Sequence, residues 1–171
     1  MAGRFDLAGV GPGDPELMTI KTMRAIKACQ ILVLPIGSPE LKKPELEEGE
    51  EETFAKECLA YRIACEAEPE TKKKLRLYLP MPMLKEKKLL KEIHDAGARK
   101  ASELLEKGKN LVFLTIGDPT VYSTGIYIYP IVCIRQKLGI ADRFYHRIIN
   151  IELSVFCLDR KSTRLNSSHR T

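Results

Sequence analysis

The most constraining feature of this chain is a glycine-proline turn set between two short apolar runs near its start. Arg4 to Val10 (RFDLAGV) reads as a strand entering the turn Gly11-Pro12-Gly13-Asp14-Pro15. Pro12 and Pro15 keep a helix from starting at once. Thr19 then offers an N-cap, and Ile20, Met23 and Ile26 recur at helical spacing. Gln30 to Pro35 (QILVLP) is a second apolar run, ended by proline and followed by the breakers Gly37, Ser38 and Pro39. A strand-helix-strand unit of this kind predicts an α/β fold built on a mostly parallel sheet flanked by helices.

The rest of the chain extends the pattern. Residues 37–51 (GSPELKKPELEEGEE) are polar, acidic and broken by Pro and Gly, which predicts an exposed, mobile loop. A helix is expected through Phe54, Leu59, Ile63 and Ala67, then a short strand over Leu75 to Leu79. Lys85 to Lys107 is the longest predicted helix, with Leu90, Ile93, Gly97, Ala101 and Leu104 on one stripe and Gly108 as its stop. Asn110 to Thr115 (NLVFLT) has the composition of a buried strand, and the turn Ile116-Gly117-Asp118-Pro119 follows it. A helix from about Val121 to Arg135 comes next, with Gly125 and Pro130 disturbing its regularity. Farther on, Ile149, Ile151, Leu153 and Val155 alternate as in a strand.

At 171 residues the chain suits a single domain. Its apolar fraction of 44% and charged fraction of 30% are those of a soluble globular protein. No run reaches the roughly eighteen apolar residues of a membrane span, and the first residues lack the form of a signal peptide, so a cytoplasmic location is expected. The five cysteines, Cys29, Cys58, Cys65, Cys133 and Cys157, are odd in number and form no C-x2-C pair, against a disulfide framework or zinc site. Cys29 and Cys133 lie among apolar neighbours and are expected as inert buried thiols. His94, His146 and His169 suggest no metal set. The net charge of +5 is mostly local. Arg160, Lys161, Arg164 and Arg170 account for four of the 28 basic residues, leaving 24 against 23 acidic, a net of +1. Nucleic acid is therefore not expected as a partner.

Chemistry, if present, belongs at two strand ends: Gly9 to Pro15, and Ile116 to Thr124. In parallel α/β sheets ligands bind outside the carboxyl ends of strands, where glycine allows close backbone approach. Each turn alone is equally readable as a plain structural turn. Gly9 to Gly13 is G-x-G-x-G, not the G-x-G-x-x-G of dinucleotide sites, and the ribose-binding acid expected some twenty residues later is missing from Gln30 to Pro35.

Taken together, the two turns resemble those of a known family. GVGPGDPELMTIKTMRAIKACQILVLP is similar to the opening motif of the tetrapyrrole methylases, and NLVFLTIGDPTVYST to their second motif. Pro35 and the TIGDPTVYST wording look most like the branch that methylates C20 of precorrin-2 or cobalt-precorrin-2 in cobalamin biosynthesis. The resemblance covers residues 4 to about 136. It implies an N-terminal methylase domain, S-adenosylmethionine as methyl donor, a tetrapyrrole substrate and homodimeric full-length relatives. By similarity, Pro12, Ile116, Gly117, Asp118 and Val121 border the cofactor. Gly11, Gly13, Asp14, Tyr122, Ser123 and Thr124 lie toward the substrate. Asp118 is a candidate base by its chemistry, although a cofactor-binding or turn-capping role is the expectation for it.

The resemblance fades after residue 136. Residues 137–159 correspond to a degraded start of the second domain, which is expected to be missing, and RKSTRLNSSHRT at 160–171 reads as a disordered, non-native tail. An inactive methylase fragment is therefore expected. A methylase acting at another ring carbon and a non-catalytic ligand-binding or interaction module are the alternatives.

Overall fold

A computed structural model describes residues 3–49, 51–121 and 123–136. The readings made for Tyr122, His146, Cys157, His169 and residues 137–171 lie outside these. Five strands, β1 (Phe5–Gly9), β2 (Ile31–Ile36), β3 (Glu45–Glu47), β4 (Leu75–Pro80) and β5 (Leu111–Thr115), form one sheet in the spatial order β1-β5-β2-β4-β3. All neighbouring pairs are parallel except β3 with β4, which is antiparallel at the edge. The helices are α1 (Ile20–Ala28), α2 (Leu59–Ala67), α3 (Lys87–Glu106) and α4 (Gly125–Gln136). This is the expected mostly parallel α/β architecture. None of these helices, among the described residues, is long and apolar enough to cross a membrane.

The central strands are apolar throughout because both their faces are covered. Side chains alternate across the sheet. Leu32, Leu34, Tyr78, Val112 and Leu114 pack with Ile26 of α1 and Tyr61, Ile63 and Ala64 of α2. Ile31, Val33, Leu77, Leu79, Leu111 and Phe113 pack on the other face with Ala98, Ala101 and Leu105 of α3 and Ile128 and Val132 of α4. Each large apolar side chain so buried stabilises the fold by about 1.5–3 kcal/mol relative to exposure.

The helix punctuation expected from the sequence is present. The Thr19 hydroxyl accepts from Thr22 N at 3.1 Å, capping α1. Gly108 follows α3 with φ 77°. Cys29 and Cys133 are buried, and burial pushes the Cys29 thiol up to about 11. His94 is also buried, stacked on Tyr127 of α4 with ring centroids 5.3 Å apart.

Two expectations need correction. Residues 37–51 are not simply an exposed mobile loop: they contain β3, and Leu41 is buried in the core. What holds β3 is Arg76, whose side chain is 0% exposed. Its Nε donates to Glu47 at 3.1 Å, Nη2 to the carbonyls of Gly49 and Glu51 at 2.6 and 2.7 Å, and Nη1 to those of Lys72 and Lys74 at 2.9 and 3.2 Å. Thr53 and Tyr78 also donate to the Glu47 carboxylate. The second correction concerns α4, which begins at Gly125 rather than near Val121. Asp118 bonds to Thr120 and Ser123 to Gly125, local side-chain bonds that compete with helix at these positions. Beyond that start, α4 continues through Pro130.

Candidate functional site

The strand order creates a switch point. β1 and β5 are adjacent, yet the helix after β1 lies on one face of the sheet and the helix after β5 on the other. The chain thus leaves the two carboxyl ends in opposite directions and opens a crevice between them, the place where open α/β sheets bind ligands. Both glycine turns singled out by sequence sit there.

The turns are joined to each other. Val10 N donates to Thr115 O, and Gly117 N to Gly11 O, each at 2.9 Å, the latter forming an isolated bridge beyond the strand ends. Gly9 is required by this closeness, because a Cβ there would lie 2.1 Å from Gly117 O and 3.0 Å from Pro119 Cδ. Gly117 has φ 66°, a left-handed conformation that L side chains rarely adopt. A Cβ at Gly117 or Gly13 would meet nothing within 4 Å, so the space before both turns is open. From the first turn, the Thr22 hydroxyl donates to Gly9 O at 2.9 Å and fixes β1 against α1.

The side chains expected at the site fall into distinct groups. Ile116, directly after buried β5, and Val121, farther along the turn, are 43% and 49% exposed. Pro12, Gly13 and Asp14 are exposed and Gly11 half-buried at the first turn. Asp14 accepts from Glu16 N at 2.9 Å and caps a single helical turn at Pro15–Leu17. Asp118 is half-buried, and its Oδ1 accepts from both N and Oγ1 of Thr120 at 2.7 Å. That carboxylate stabilises its own turn. Ser123 is buried, and its hydroxyl accepts from Gly125 N at 3.0 Å, at the start of α4. Thr124 is half-buried.

Sequence reasoning missed two neighbours. Leu17 and Ile20, just after the first turn, are 59% and 68% exposed. Ile20 reads in the sequence as part of the helical periodicity and Leu17 is not singled out there, whereas here both extend the exposed apolar rim of the crevice. A rim of this kind, with backbone accessible at glycines, fits a ligand that combines an apolar body with polar edges.

Comparison with known proteins bears on the family and the fold. The family model described as Tetrapyrrole (Corrin/Porphyrin) Methylases matches residues 4–141, a span that contains both turns. The chain is 28% identical over 151 residues to a probable cobalt-precorrin-2 C(20)-methyltransferase of Methanocaldococcus jannaschii, covering 88% of this chain and 55% of that protein. It is 32% identical over 126 residues to the uroporphyrinogen-III C-methyltransferase of the same organism, covering 73% and 40%. The chain thus spans about half the length of the curated relatives it matches. Among solved structures, a Corynebacterium diphtheriae protein described as cobalamin-synthesis related superimposes with a TM-score of 0.54 at 15% identity, over 80% of this chain and 50% of that one, a likeness of fold.

Proposed function

The chain belongs to the tetrapyrrole (corrin/porphyrin) methylase family, and on that premise we propose that it serves S-adenosylmethionine-dependent C-methylation of a tetrapyrrole, at C20 of precorrin-2 or cobalt-precorrin-2. The observation that carries this reading is the pair of glycine turns bridged at the β1/β5 switch point, inside the matched span. The name of the 28%-identical relative supports the C20 position.

S-adenosylmethionine supplies a methyl group made electrophilic by its sulfonium sulfur. In this reading the chain's residues form one wall of the cofactor cleft. Ile116 and Val121 offer apolar contact, while Gly117 and Pro12 admit the ligand close to the backbone. Fixing these groups in advance lowers the entropic cost of aligning donor and acceptor. Exposed Gly13 and Asp14, with Gly11 and Thr124, line the side toward the substrate. The Ser123 hydroxyl, buried and engaged by Gly125 N, holds the start of α4 rather than meeting the substrate. Asp118 acts through its turn: with Oδ1 engaged twice by Thr120, it holds Gly117 and Val121 in place rather than removing a proton.

A second reading, methylation at another ring carbon, is favoured by the higher identity to the uroporphyrinogen-III methyltransferase over its shorter span. Calorimetric titration with S-adenosylhomocysteine tests the cofactor wall. Two proteins are compared: this chain, and a chimaera in which residues 1–136 replace the matching part of the 28%-identical relative. The chimaera is expected to bind. Absence of binding to both would refute the assignment of Pro12 and Ile116 to Val121. Turnover of precorrin-2 against uroporphyrinogen III by the chimaera separates the two ring positions.

A further inference from the structure

Helix α3 carries a feature that neither the fold nor the cofactor wall uses. A Cβ at Gly97 would touch the Leu79 Cδ atoms at 3.4 and 3.5 Å, which places Gly97 level with the carboxyl end of β4. Residues 87–96 of α3 therefore run beyond the sheet edge, by up to about 15 Å at 1.5 Å per residue. They project on the side where both glycine turns open, and His94 on this projection stacks against Tyr127 in the first turns of α4. The projecting segment and its lead-in hold Lys85, Lys87, Lys88 and Lys91 against Glu86, Glu92 and Asp95.

Stability gives little reason for this arrangement: Lys88 with Glu92 and Lys91 with Asp95 stand at i,i+4, a spacing worth little on an exposed face. Lysines at a helix N-terminus oppose the macrodipole, and Lys87 and Lys91 repel at i,i+4 spacing. The first turn of α3 has no acidic residue, and Glu86 makes no side-chain cap bond. All four lysines are exposed, and none of the ion pairs among the described residues involves them. Beside them Met83 and Leu84 are 104% and 40% exposed. Positive charge next to bare apolar surface suits a flat apolar ligand with acidic substituents.

We propose that Lys85, Lys87, Lys88 and Lys91 form a carboxylate-binding rim that receives the peripheral carboxylates of the tetrapyrrole substrate at the open edge of the sheet. The proposal rests on the methylase reading above. The distance between strands agrees with it. β4, from which α3 rises, is two places from β5 in the sheet, about 10 Å at the usual strand spacing, a span that one macrocycle with its side chains can bridge.

The test is fluorescence titration of uroporphyrin into the full chain, with coproporphyrin, which has half as many carboxylates, in parallel. The triple variant Lys87→Gln, Lys88→Gln, Lys91→Gln is compared at low and high salt, and a melting curve verifies that it folds. The expected result is roughly tenfold weaker uroporphyrin binding by the variant and a flatter salt dependence, from the modest worth of each exposed ion pair. Coproporphyrin should bind more weakly and lose less. Equal uroporphyrin binding by both proteins, or none by either, overturns the rim. Equally strong competition by polyglutamate or single-stranded DNA overturns its selectivity, since that marks a general cation patch. S-adenosylhomocysteine binding by the chimaera keeps the two ideas apart: lysine-dependent porphyrin binding without cofactor binding upholds the rim and sinks the methylase reading, and the reverse pattern sinks the rim alone.

Discussion

Replacing Arg76 with methionine keeps much of the side chain's apolar length but deletes a guanidinium that is 0% exposed. Its partner Glu47, with a side chain 13% exposed, would then face the sheet edge without a cation. Four carbonyls, of Gly49, Glu51, Lys72 and Lys74, would lose a charged donor. Summing them at about 1.5–3 kcal/mol each would overshoot, because hydrogen bonds in one network are not additive and water reaches the loop carbonyls once it opens. Breaking a buried ion pair by removing one partner costs about 3–5 kcal/mol, and that range is the expectation here. For a folded unit of this size it corresponds to a fall in Tm of roughly 10–15 °C. Arg76→Lys should fall between, since an ammonium keeps the charge but not the planar fork.

The assay pairs thermal unfolding followed by circular dichroism with limited digestion by a glutamate-specific protease. β3 and its flanks contain Glu45, Glu47, Glu48, Glu51 and Glu52, so release of this segment should give early cleavage there while the rest of the chain persists. Acid titration adds a signed check. Burial raises the Glu47 pKa, but hydrogen bonds from Thr53, Tyr78 and Arg76 outweigh it and hold the carboxyl below its ordinary value. A depressed carboxyl stabilises the fold above its unfolded pKa, and that stability is lost as pH falls through the folded value. The acid-induced loss should therefore be smaller in Arg76→Met. A loss under about 1 kcal/mol with no new cleavage near residues 45–52 would refute the idea that Arg76 holds β3.

Three further outcomes are expected. Gly9→Ala should force the turns apart, because its Cβ meets the backbone oxygen of Gly117 rather than a movable side chain; a loss of about 2–4 kcal/mol by denaturant unfolding is expected, together with loss of S-adenosylhomocysteine binding by the chimaera. Burial lowers the His94 pKa against the opposing pull of Asp95, so its stabilising effect is complete above the unfolded value, near 6.5, and falls as pH drops from there; the slope of Tm between about pH 7 and 5 should shrink in His94→Phe. Cys29, buried and pushed up to about 11, should resist alkylation at pH 8 until the protein unfolds, which mass-resolved labelling would record.

Strands β2, β4 and β5 and helices α1 and α3 were legible because each writes its burial into local periodicity and ends at Gly, Pro or a hydroxyl cap. β3 was not, because Glu45-Leu46-Glu47 is held by Arg76 from far along the chain, and its charges read as solvated loop until that guanidinium is placed beside them. The start of α4 was misjudged for the opposite reason: Asp118 and Ser123 form bonds as local as a helix cap, and composition does not decide which local bond wins. The site was legible in its two halves, since both turns carry glycine at strand ends. Their union was not, because it depends on β5 lying beside β1, which only the strand order supplies. Gly9 shows the difference most clearly. In the sequence it reads as room for a ligand to approach the backbone, yet the structure keeps glycine there because Gly117 O occupies the space a side chain would need. A glycine kept by contact with a distant turn makes the proposed cofactor wall depend on the β1–β5 pairing. Substitutions that loosen this pairing should therefore weaken cofactor binding even where they touch none of the proposed cofactor wall.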